Sequence, residues 1–338
     1  MTSAQSPTHP SAAGAAGVDP SREDAAGSRD GSRGGVDSPR GAGDRARTGY
    51  RTGPSNWLLL PALSFFGIFA LLPLAGVVVL SFFAWDGLGT PQFAGLSAWF
   101  TVFQDPVTLN AMKLTFLLTA LSYVVQFPLS LLLGTFMAGH QRYREAFSVL
   151  YFLPLLFSAA AIGITFGALL DPNFGLSRAF GLDWLGQDWL GSPNLAFYTV
   201  IMVISWSFVP FHSLLYQAGV RQIPASMYEA ATLDGAGRVR QFFNVTLPQL
   251  KYTIVTSSTL MLVGSLTYFD LVFILTQGGP GNATRILPLD MYLTGFRSYQ
   301  MGPASVIAVI LVVVGLLLSL TLNRISGADR MESQMEGA

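Results

Sequence analysis

The sequence predicts an all-α membrane protein with six transmembrane helices. Hydrophobic residues make up 51% of the 338 residues and charged residues 11%, well below the charged fraction of about a quarter in soluble domains. Six stretches are apolar over the roughly 20 residues that a helix needs to cross a bilayer. They are residues 57–83, 111–138, 146–170, 195–220, 253–277 and 303–322.

The regions on either side of these stretches are polar. Residues 1–55 are rich in Gly, Ser, Ala, Asp and Arg, which predicts a disordered tail. The first apolar stretch begins too late and is too long for a signal peptide, so we expect it to remain as the first helix of a membrane domain at 56–325. Residues 326–338 form a second tail. Prolines that predict kinks inside the helices are Pro61, Pro73, Pro128, Pro154 and Pro210.

The positions of Lys and Arg predict the orientation in the membrane. If the N-terminus is inside, fifteen of the nineteen basic residues lie on the inner side. The positive-inside rule therefore places both termini in the cytoplasm of a multi-pass cell-membrane protein. The loop at 221–250 is then cytoplasmic, and the loops at 84–110, 171–194 and 278–302 face outward.

Several classes of function lack the residues they need. A net charge of zero gives no global field for nucleic acid, and the absence of cysteine removes thiol chemistry. The two lysines, Lys113 and Lys251, do not follow a glycine, so there is no phosphate-binding loop of the G-x-x-x-x-G-K type. The histidines, His9, His140 and His212, have no zinc-motif spacing. We therefore expect neither an enzyme nor a metal site in this chain.

The predicted cytoplasmic loop contains the stretch IPASMYEAATLDGAGRVRQFFNVTLPQL. Its composition predicts a helix at 225–233, which Asp234 and Gly235 end, and a second helix from Gly237 to Phe243. The first helix has small residues on its apolar side, and such a surface allows another backbone to approach closely. A solvated connector between two spans would show the same helix punctuation.

Two motifs resemble permease subunits of binding-protein-dependent, ATP-driven importers, in the maltose and glycerol-phosphate branch that carries carbohydrates. One is TQGGPGNAT at 276–284, which is similar to the segment that leaves the fifth helix in that branch. The resemblance extends over about residues 57–325. The other motif is the E-A-A loop with its later glycine and terminal L-P, which here are Glu229, Ala230, Ala231, Gly235, Leu247 and Pro248.

The resemblance implies the fold of a type I importer permease and a coupling role for the loop. Glu229 would anchor the loop to an ATP-binding subunit by an ion pair, Ala230 and Ala231 would sit in its cleft, and Asp234 with Gly235 would set the turn. ATP and Mg would bind to the partner ATPase, and this chain would carry no cofactor. The implied partners are a second permease, an ATPase dimer and an extracytoplasmic solute-binding protein.

Polar and aromatic residues on the fourth and fifth helices form a candidate sugar pathway. Hydroxyls suit sugar hydroxyls, and aromatic rings can cover a pyranose face. Serine is also a common packing residue in membrane helices, and Asp270 is either a packing partner or close to the outer interface, so it is not assigned to the sugar. The candidates, which the resemblance also favours, are Ser207, Phe208, Phe211, Ser265 and Tyr268.

The outer loops are rich in aromatic residues. These residues favour docking of a solute-binding protein at 278–302, although aromatic belts at the membrane interface explain them equally well. They are Trp184, Trp189, Tyr292, Phe296 and Tyr299.

A different class of function remains as an alternative. An ion-coupled secondary transporter of small polar solutes would use intramembrane acids or histidines, and Asp270 and His212 are the residues that hint at one. The sequence does not specify which sugar or related solute would be carried.

Overall fold

The computed structural model describes residues 56–139, 142–181 and 186–326. This part of the chain is mostly helical, with one two-stranded antiparallel sheet. It contains four helices that are long and apolar enough to cross a membrane, or five if one bent pair counts as a single crossing. The tails predicted at 1–55 and 326–338 lie outside the described residues, except for Ser326.

The first crossing, Leu60–Leu80, is a helix with a π-helical turn in its middle. Pro73 accounts for the turn, because proline has no N–H to donate and its ring crowds the carbonyl four residues earlier. The residues of this crossing are not buried within the described chain, so its surface is available to lipid or to another subunit. Its elements are a 3-10 turn at Asn56–Leu59, α1 (Leu60–Phe66), the π turn Gly67–Leu71 and α2 (Leu72–Leu80).

A short hairpin and a long helix come next. Asp105 begins the long helix, because its carboxylate accepts hydrogen bonds from the backbone N–H groups of Val107 and Thr108. Pro106 occupies the first helical position, where a backbone N–H is not needed. The elements are β1 (Phe83–Ala84), β2 (Gln92–Phe93), α3 (Ser97–Gln104) and α4 (Pro106–Met137).

The third predicted span, 146–170, is divided into shorter pieces, which is a larger interruption than the kink that Pro154 predicts. Pro154 cannot donate within a helix, and the chain forms a 3-10 turn around it. Ser158 then starts a new helix by accepting a hydrogen bond from the N–H of Ala161 at 3.2 Å. The pieces are α5 (Arg142–Tyr151), the 3-10 turn Leu153–Leu156 and α6 (Ala159–Leu169), each too short to cross a bilayer alone.

The next long helix packs parallel to α4. At one end, the side-chain Nε2 of Gln217 donates to the backbone oxygen of Met137 at 3.0 Å. Farther along both helices, Leu118 and Ile204 belong to the same buried cluster. Because the C-terminal halves meet each other and the N-terminal halves meet each other, the two helices run in the same direction. The elements are α7 (Leu176–Phe180) and α8 (Ala196–Arg221).

The fifth predicted crossing, 253–277, is bent rather than straight. Two helices are separated by a break at residues 266–269 and meet at an angle of 46°. Before them, three short helices and a π turn connect to α8. The elements are α9 (Ala225–Leu233), α10 (Arg238–Gln241), the π turn Phe242–Thr246, α11 (Leu247–Gln249), α12 (Lys251–Ser265) and α13 (Asp270–Thr276).

A last long helix completes the described chain. The short helix α14 (Leu287–Tyr292) precedes this last helix. The main buried cluster lies where α14 meets α4, α8 and α13, and it includes Val200, Val272 and Leu289. Burial of this apolar surface holds these parts of the helices against one another. The final elements are α14 (Leu287–Tyr292), the π turn Leu293–Arg297 and α15 (Met301–Ser326).

Candidate functional site

A cavity of about 460 Å³ opens at the break between α12 and α13. It lies between the middle of α8 and the bent helix pair, and α6 with the turn before it closes one side. The lining residues are Leu155, Ala159, Phe208, Phe211, His212, Leu260, Gly264, Thr267, Tyr268, Phe269, Asp270 and Leu271.

The break itself is unusual for a membrane-spanning segment. Between Leu266 and Phe269 the helical hydrogen bonds are replaced by short-range ones, such as that from the Phe269 N–H to the Thr267 carbonyl at 2.7 Å. Irregular backbone at membrane depth is stable where it is covered by protein or lines a polar cavity. The break and the cavity therefore belong together structurally.

Three of the five predicted pathway residues line this cavity: Phe208, Phe211 and Tyr268. The rings of Phe208 and Tyr268 pack against each other with their centroids 4.9 Å apart and a tilt of 32°. Phe211 is partly exposed. The arrangement gives the cavity an aromatic wall built from two helices.

The two predicted serines lie outside the lining and are bonded to protein atoms. Ser207 donates to the carbonyl oxygen of Val203 at 2.9 Å within α8. The hydroxyl of Ser265 lies 2.8 Å from the Thr119 hydroxyl of α4 and 2.7 Å from the carbonyl oxygen of Leu262. Both serines are buried, so in this conformation they support helix packing.

The cavity lining also contains three polar residues that the pathway prediction did not include: His212, Thr267 and Asp270. His212 is buried, and its Nδ1 lies 3.0 Å from the hydroxyl of Ser257 on α12. Thr267 and Asp270 are exposed at the helix break. His212 follows Phe208 by four residues, so the helical periodicity places both on one face of α8, and this signal could have identified it.

A stripe of buried polar residues along α4 also went unnoticed. Thr115, Thr119, Ser122, Gln126 and Ser130 recur every three or four residues and are all buried. That period identifies one face of a helix, and here it is the face that meets α8, α12 and α14. The stripe shows that the inner face of the bundle is polar along much of its length.

The predicted coupling residues lie on α9 and the turn after it, within residues 224–243, which we call the exposed segment. Glu229, Ala230, Asp234 and Gly235 are exposed, and Ala231 is half-buried. Gly235 has a φ of +75°, a left-handed conformation that glycine adopts without strain. The turn therefore depends on this residue type.

Hydrogen bonds hold the exposed segment in one shape. The Tyr228 hydroxyl lies 3.0 Å from the Thr246 hydroxyl, which ties α9 to the π turn. The side-chain Nε2 of Gln241 donates to the Thr232 hydroxyl at 2.9 Å and to the Ala236 carbonyl at 3.0 Å. These bonds close the two short helices on each other and make the segment a stiff unit.

The same segment leaves large apolar side chains in solvent. Leu233 is 89% exposed and Val239 is 73% exposed, and Phe243, in the π turn that follows, is exposed as well. Exposed apolar side chains that lie close together mark interaction surfaces. The sequence predicted the helix at 225–233, but it did not predict that Val239 and Phe243 would be exposed.

On the other side of α13, residues 276–297 are held tightly by their own chain, and we call them the anchored segment. The guanidinium of Arg285 lies 2.7 Å from the fully buried carboxylate of Asp290. The same carboxylate lies 2.8 Å from the hydroxyl of Thr108 on α4. The Leu287 N–H donates to the Thr115 hydroxyl at 2.8 Å. The segment is thereby fixed to α4.

The aromatic residues predicted for docking divide into two groups. Tyr292 packs against Phe269 and Phe273, with centroids 5.2 and 5.3 Å apart, whereas Phe296 and Tyr299 are exposed. Trp189 is half-buried, and Trp184 lies outside the described residues. Tyr292 thus has a packing role in this structure.

Comparison with known proteins assigns this architecture. The model of a family described as "binding-protein-dependent transport system inner membrane component" matches residues 126–328. The chain belongs to this family. A probable ABC transporter permease protein of Bacillus subtilis, YurN, is 35% identical over 269 residues, which cover 78% of this chain and 92% of that protein. A diacetylchitobiose uptake permease protein of Streptomyces coelicolor, NgcF, is 30% identical, over 80% and 82% of the two chains.

A solved structure has the same fold. A chain in the crystal structure of a bacterial alginate ABC transporter, in complex with an alginate pentasaccharide-bound periplasmic protein, matches with a TM-score of 0.71 and 25% identity. The match covers 80% of this permease and 94% of that chain. The permease is therefore a multi-pass inner-membrane subunit of a binding-protein-dependent transporter, in which the ATPase is a separate component.

Among the described residues, the permease has no group of three or more His, Asp or Glu side chains placed to hold a metal ion.

Proposed function

We propose that this permease carries a sugar or a related polyhydroxylated solute across the cell membrane by alternating access, as one half of the pore of an importer. The observation that carries the proposal is the cavity at the broken helix, whose lining contains an aromatic pair together with hydroxyl, imidazole and carboxylate groups. Aromatic faces cover sugar rings, and these polar groups bond to sugar hydroxyls. The names of several relatives support the class: diacetylchitobiose uptake, arabinooligosaccharides transport and starch degradation products transport.

Six crossings agree best with the packing of the helices, and the positive-inside rule places both termini in the cytoplasm. Because α4 and α8 run parallel, the chain between them has to return across the membrane. The helices available for that return are α5 and α6, so residues 142–169 serve as a broken third crossing. The bent α12–α13 pair is the fifth. The positive-inside rule then orients the exposed segment to the cytoplasm and the anchored segment outward.

The exposed segment, within the loop at 221–250, is the part that engages an ATP-binding subunit. Its stiffness supports this role, because a rigid helix held by a moving subunit transmits that motion to α8 and α12, which flank it. Glu229 supplies an ion-pair anchor, Ala230 and Ala231 allow close approach, and Asp234 with Gly235 sets the turn. A second permease, two ATPase copies and a solute-binding protein complete the assembly.

In this account the two cavity-lining aromatic residues of α8, Phe208 and Phe211, contact the solute together with Tyr268. Ser265 positions α12 against α4 through its bond to Thr119, whereas the Ser207 hydroxyl is bonded to Val203 within α8. Ser265 becomes free to bond to the solute in a conformation where α4 and α12 have separated.

Uptake into proteoliposomes by the complete importer tests the proposal. Glu229→Lys and Gly235→Pro are expected to abolish ATP-dependent uptake of oligosaccharide while the permease still inserts, because the first reverses the anchor charge and proline cannot adopt a φ of +75°. Glu229→Gln separates loss of charge from loss of shape.

Two outcomes would contradict the proposal. Wild-type rates in both variants would remove the coupling role of the exposed segment. Uptake that survives ATP depletion but stops when an uncoupler collapses the ion gradient would identify an ion-coupled carrier instead.

A further inference from the structure

The cavity carries a single formal charge. Among the twelve residues that line it, Asp270 is the one acid, and no lysine or arginine contributes to the lining. The remaining polar groups are the Thr267 and Tyr268 side chains and the imidazole of His212. The electrostatic character of the cavity therefore depends on one carboxylate.

Asp270 is available to a solute in a way that other acids of the bundle are not. Asp290 is fully buried and is held by Arg285 and Thr108. Asp270 is exposed to the cavity, and within the described residues no side chain or backbone group forms a hydrogen bond or ion pair with its carboxylate. Its bonding capacity is therefore free to be used by what enters the cavity.

A free carboxylate beside aromatic rings distinguishes between solutes by their charge. A carboxylate accepts strong, charge-assisted hydrogen bonds from sugar hydroxyls or from an ammonium group. It repels a carboxylate, sulfonate or phosphate at short range, and water screens this repulsion less inside a cavity than in bulk. The neighbouring pair Phe208 and Tyr268 accepts the apolar face of a sugar ring whatever its charge.

We propose that Asp270 makes this cavity selective for saccharides that are uncharged or carry an amine, and that it excludes acidic saccharides. The proposal rests on the proposed function, because it concerns the same cavity. It adds a specificity-determining residue and a class of solute to that function.

The absence of cysteine from the chain allows the charge of the cavity to be measured directly. Thr267→Cys places one thiol in the lining of the same cavity, three positions before Asp270 in the sequence. The rates of its modification by a cationic reagent, trimethylammonium-ethyl methanethiosulfonate, and an anionic one, sulfonatoethyl methanethiosulfonate, are measured on the purified importer. Each rate is divided by the rate for a free thiol, which removes intrinsic differences between the reagents.

Wild-type Asp270 is expected to favour the cationic reagent, and Asp270→Asn to lower the cation-to-anion ratio by about fivefold, because the reagents differ by two charges near the carboxylate. Asp86→Asn is the matched control. Asp86 lies outside the cavity, in the hairpin, and its turn hydrogen bonds from Leu88 and Gly89 can form with asparagine. The control is expected to leave the ratio unchanged.

An unchanged ratio in Thr267→Cys with Asp270→Asn would overturn the proposal, as would an equal change with Asp86→Asn. This readout does not require transport. If the importer transports no saccharide, the proposed function fails on its own, whereas transport with an unchanged reagent ratio would remove the role of Asp270 alone.

Discussion

The anchored segment and the exposed segment lie at opposite ends of the bent α12–α13 pair, and they are held in opposite ways. In the anchored segment, Asp290 is 0% exposed and Leu289 is equally buried, and side chains from α4 satisfy its polar groups. In the exposed segment, hydrogen bonds fix the shape, but Leu233 and Val239 project into solvent.

Under the proposed function, this difference separates residues that stabilise the permease itself from residues that would contact a partner subunit. Burial of Leu289 and its neighbours contributes to the fold of the isolated chain. Exposed leucine and valine contribute little until another surface covers them, so their stabilising effect appears in the assembled importer. Substitutions in the two segments should therefore alter different properties: folding for one and assembly for the other.

The largest effect is expected from Asp290→Ala in the anchored segment. The change leaves the Arg285 guanidinium without its carboxylate partner and the Thr108 hydroxyl with Asp105 alone, which should lower the free energy of unfolding by about 3 kcal/mol. Thermal unfolding of the permease in detergent measures it. Asp86→Ala removes an exposed acid and serves as the control. Equal midpoints for the two variants would show that the anchored segment does not depend on this buried pair.

Leu233→Glu is expected to have a smaller effect, and to change the free energy of assembly with the ATPase rather than the free energy of folding. A charge at the centre of a docking surface should weaken ATPase association by about 2 kcal/mol, while folding is unchanged because the side chain is in solvent. Copurification of the ATPase subunit measures this. Leu88→Glu is the matched control, since Leu88 is 87% exposed in the hairpin. Retention of the ATPase by Leu233→Glu would mean that this surface is not the docking site.

The smallest expected effect is the difference in folding free energy between two threonine substitutions. Thr108→Val removes a buried hydroxyl that bonds to Asp290 and should cost about 1 kcal/mol of folding free energy. Thr232→Val removes an exposed hydroxyl of the exposed segment and should cost less than about 0.5 kcal/mol. Chemical denaturation of both variants gives the two values. A reversed order would contradict the distinction between the segments.

The sequence was sufficient for the helical class, the family and the helix at 225–233, because these depend on composition and on local motifs. It was not sufficient to show that the third crossing is divided into separate short helices. The prolines Pro128 and Pro210 lie inside uninterrupted helices, whereas Pro154 ends one, and this outcome depends on the packing around each residue. Apolar length alone does not distinguish these cases.

For a similar reason, the sequence predicted some of the residues that line the cavity but not all of them. Aromatic residues of α8 could be selected by type and spacing, but whether a serine faces a cavity or a neighbouring helix depends on tertiary contacts. Ser265 meets Thr119 of α4, which is 146 positions away in the sequence. Asp270 reaches the cavity because the helix breaks just before it, and the apolar stretch at 253–277 gave no sign of that break.

We propose the exposed segment as the surface through which a separate ATPase acts on this permease. Because the chain lacks cysteine, Leu233→Cys introduces a unique thiol for site-directed cross-linking in intact membranes. We predict that a thiol-specific photo-cross-linker at this position captures the ATP-binding subunit, and that impermeant thiol reagents reach the position from the cytoplasmic side alone. Labelling from the outer side, or no cross-link to a nucleotide-hydrolysing subunit in an importer that transports, would contradict it.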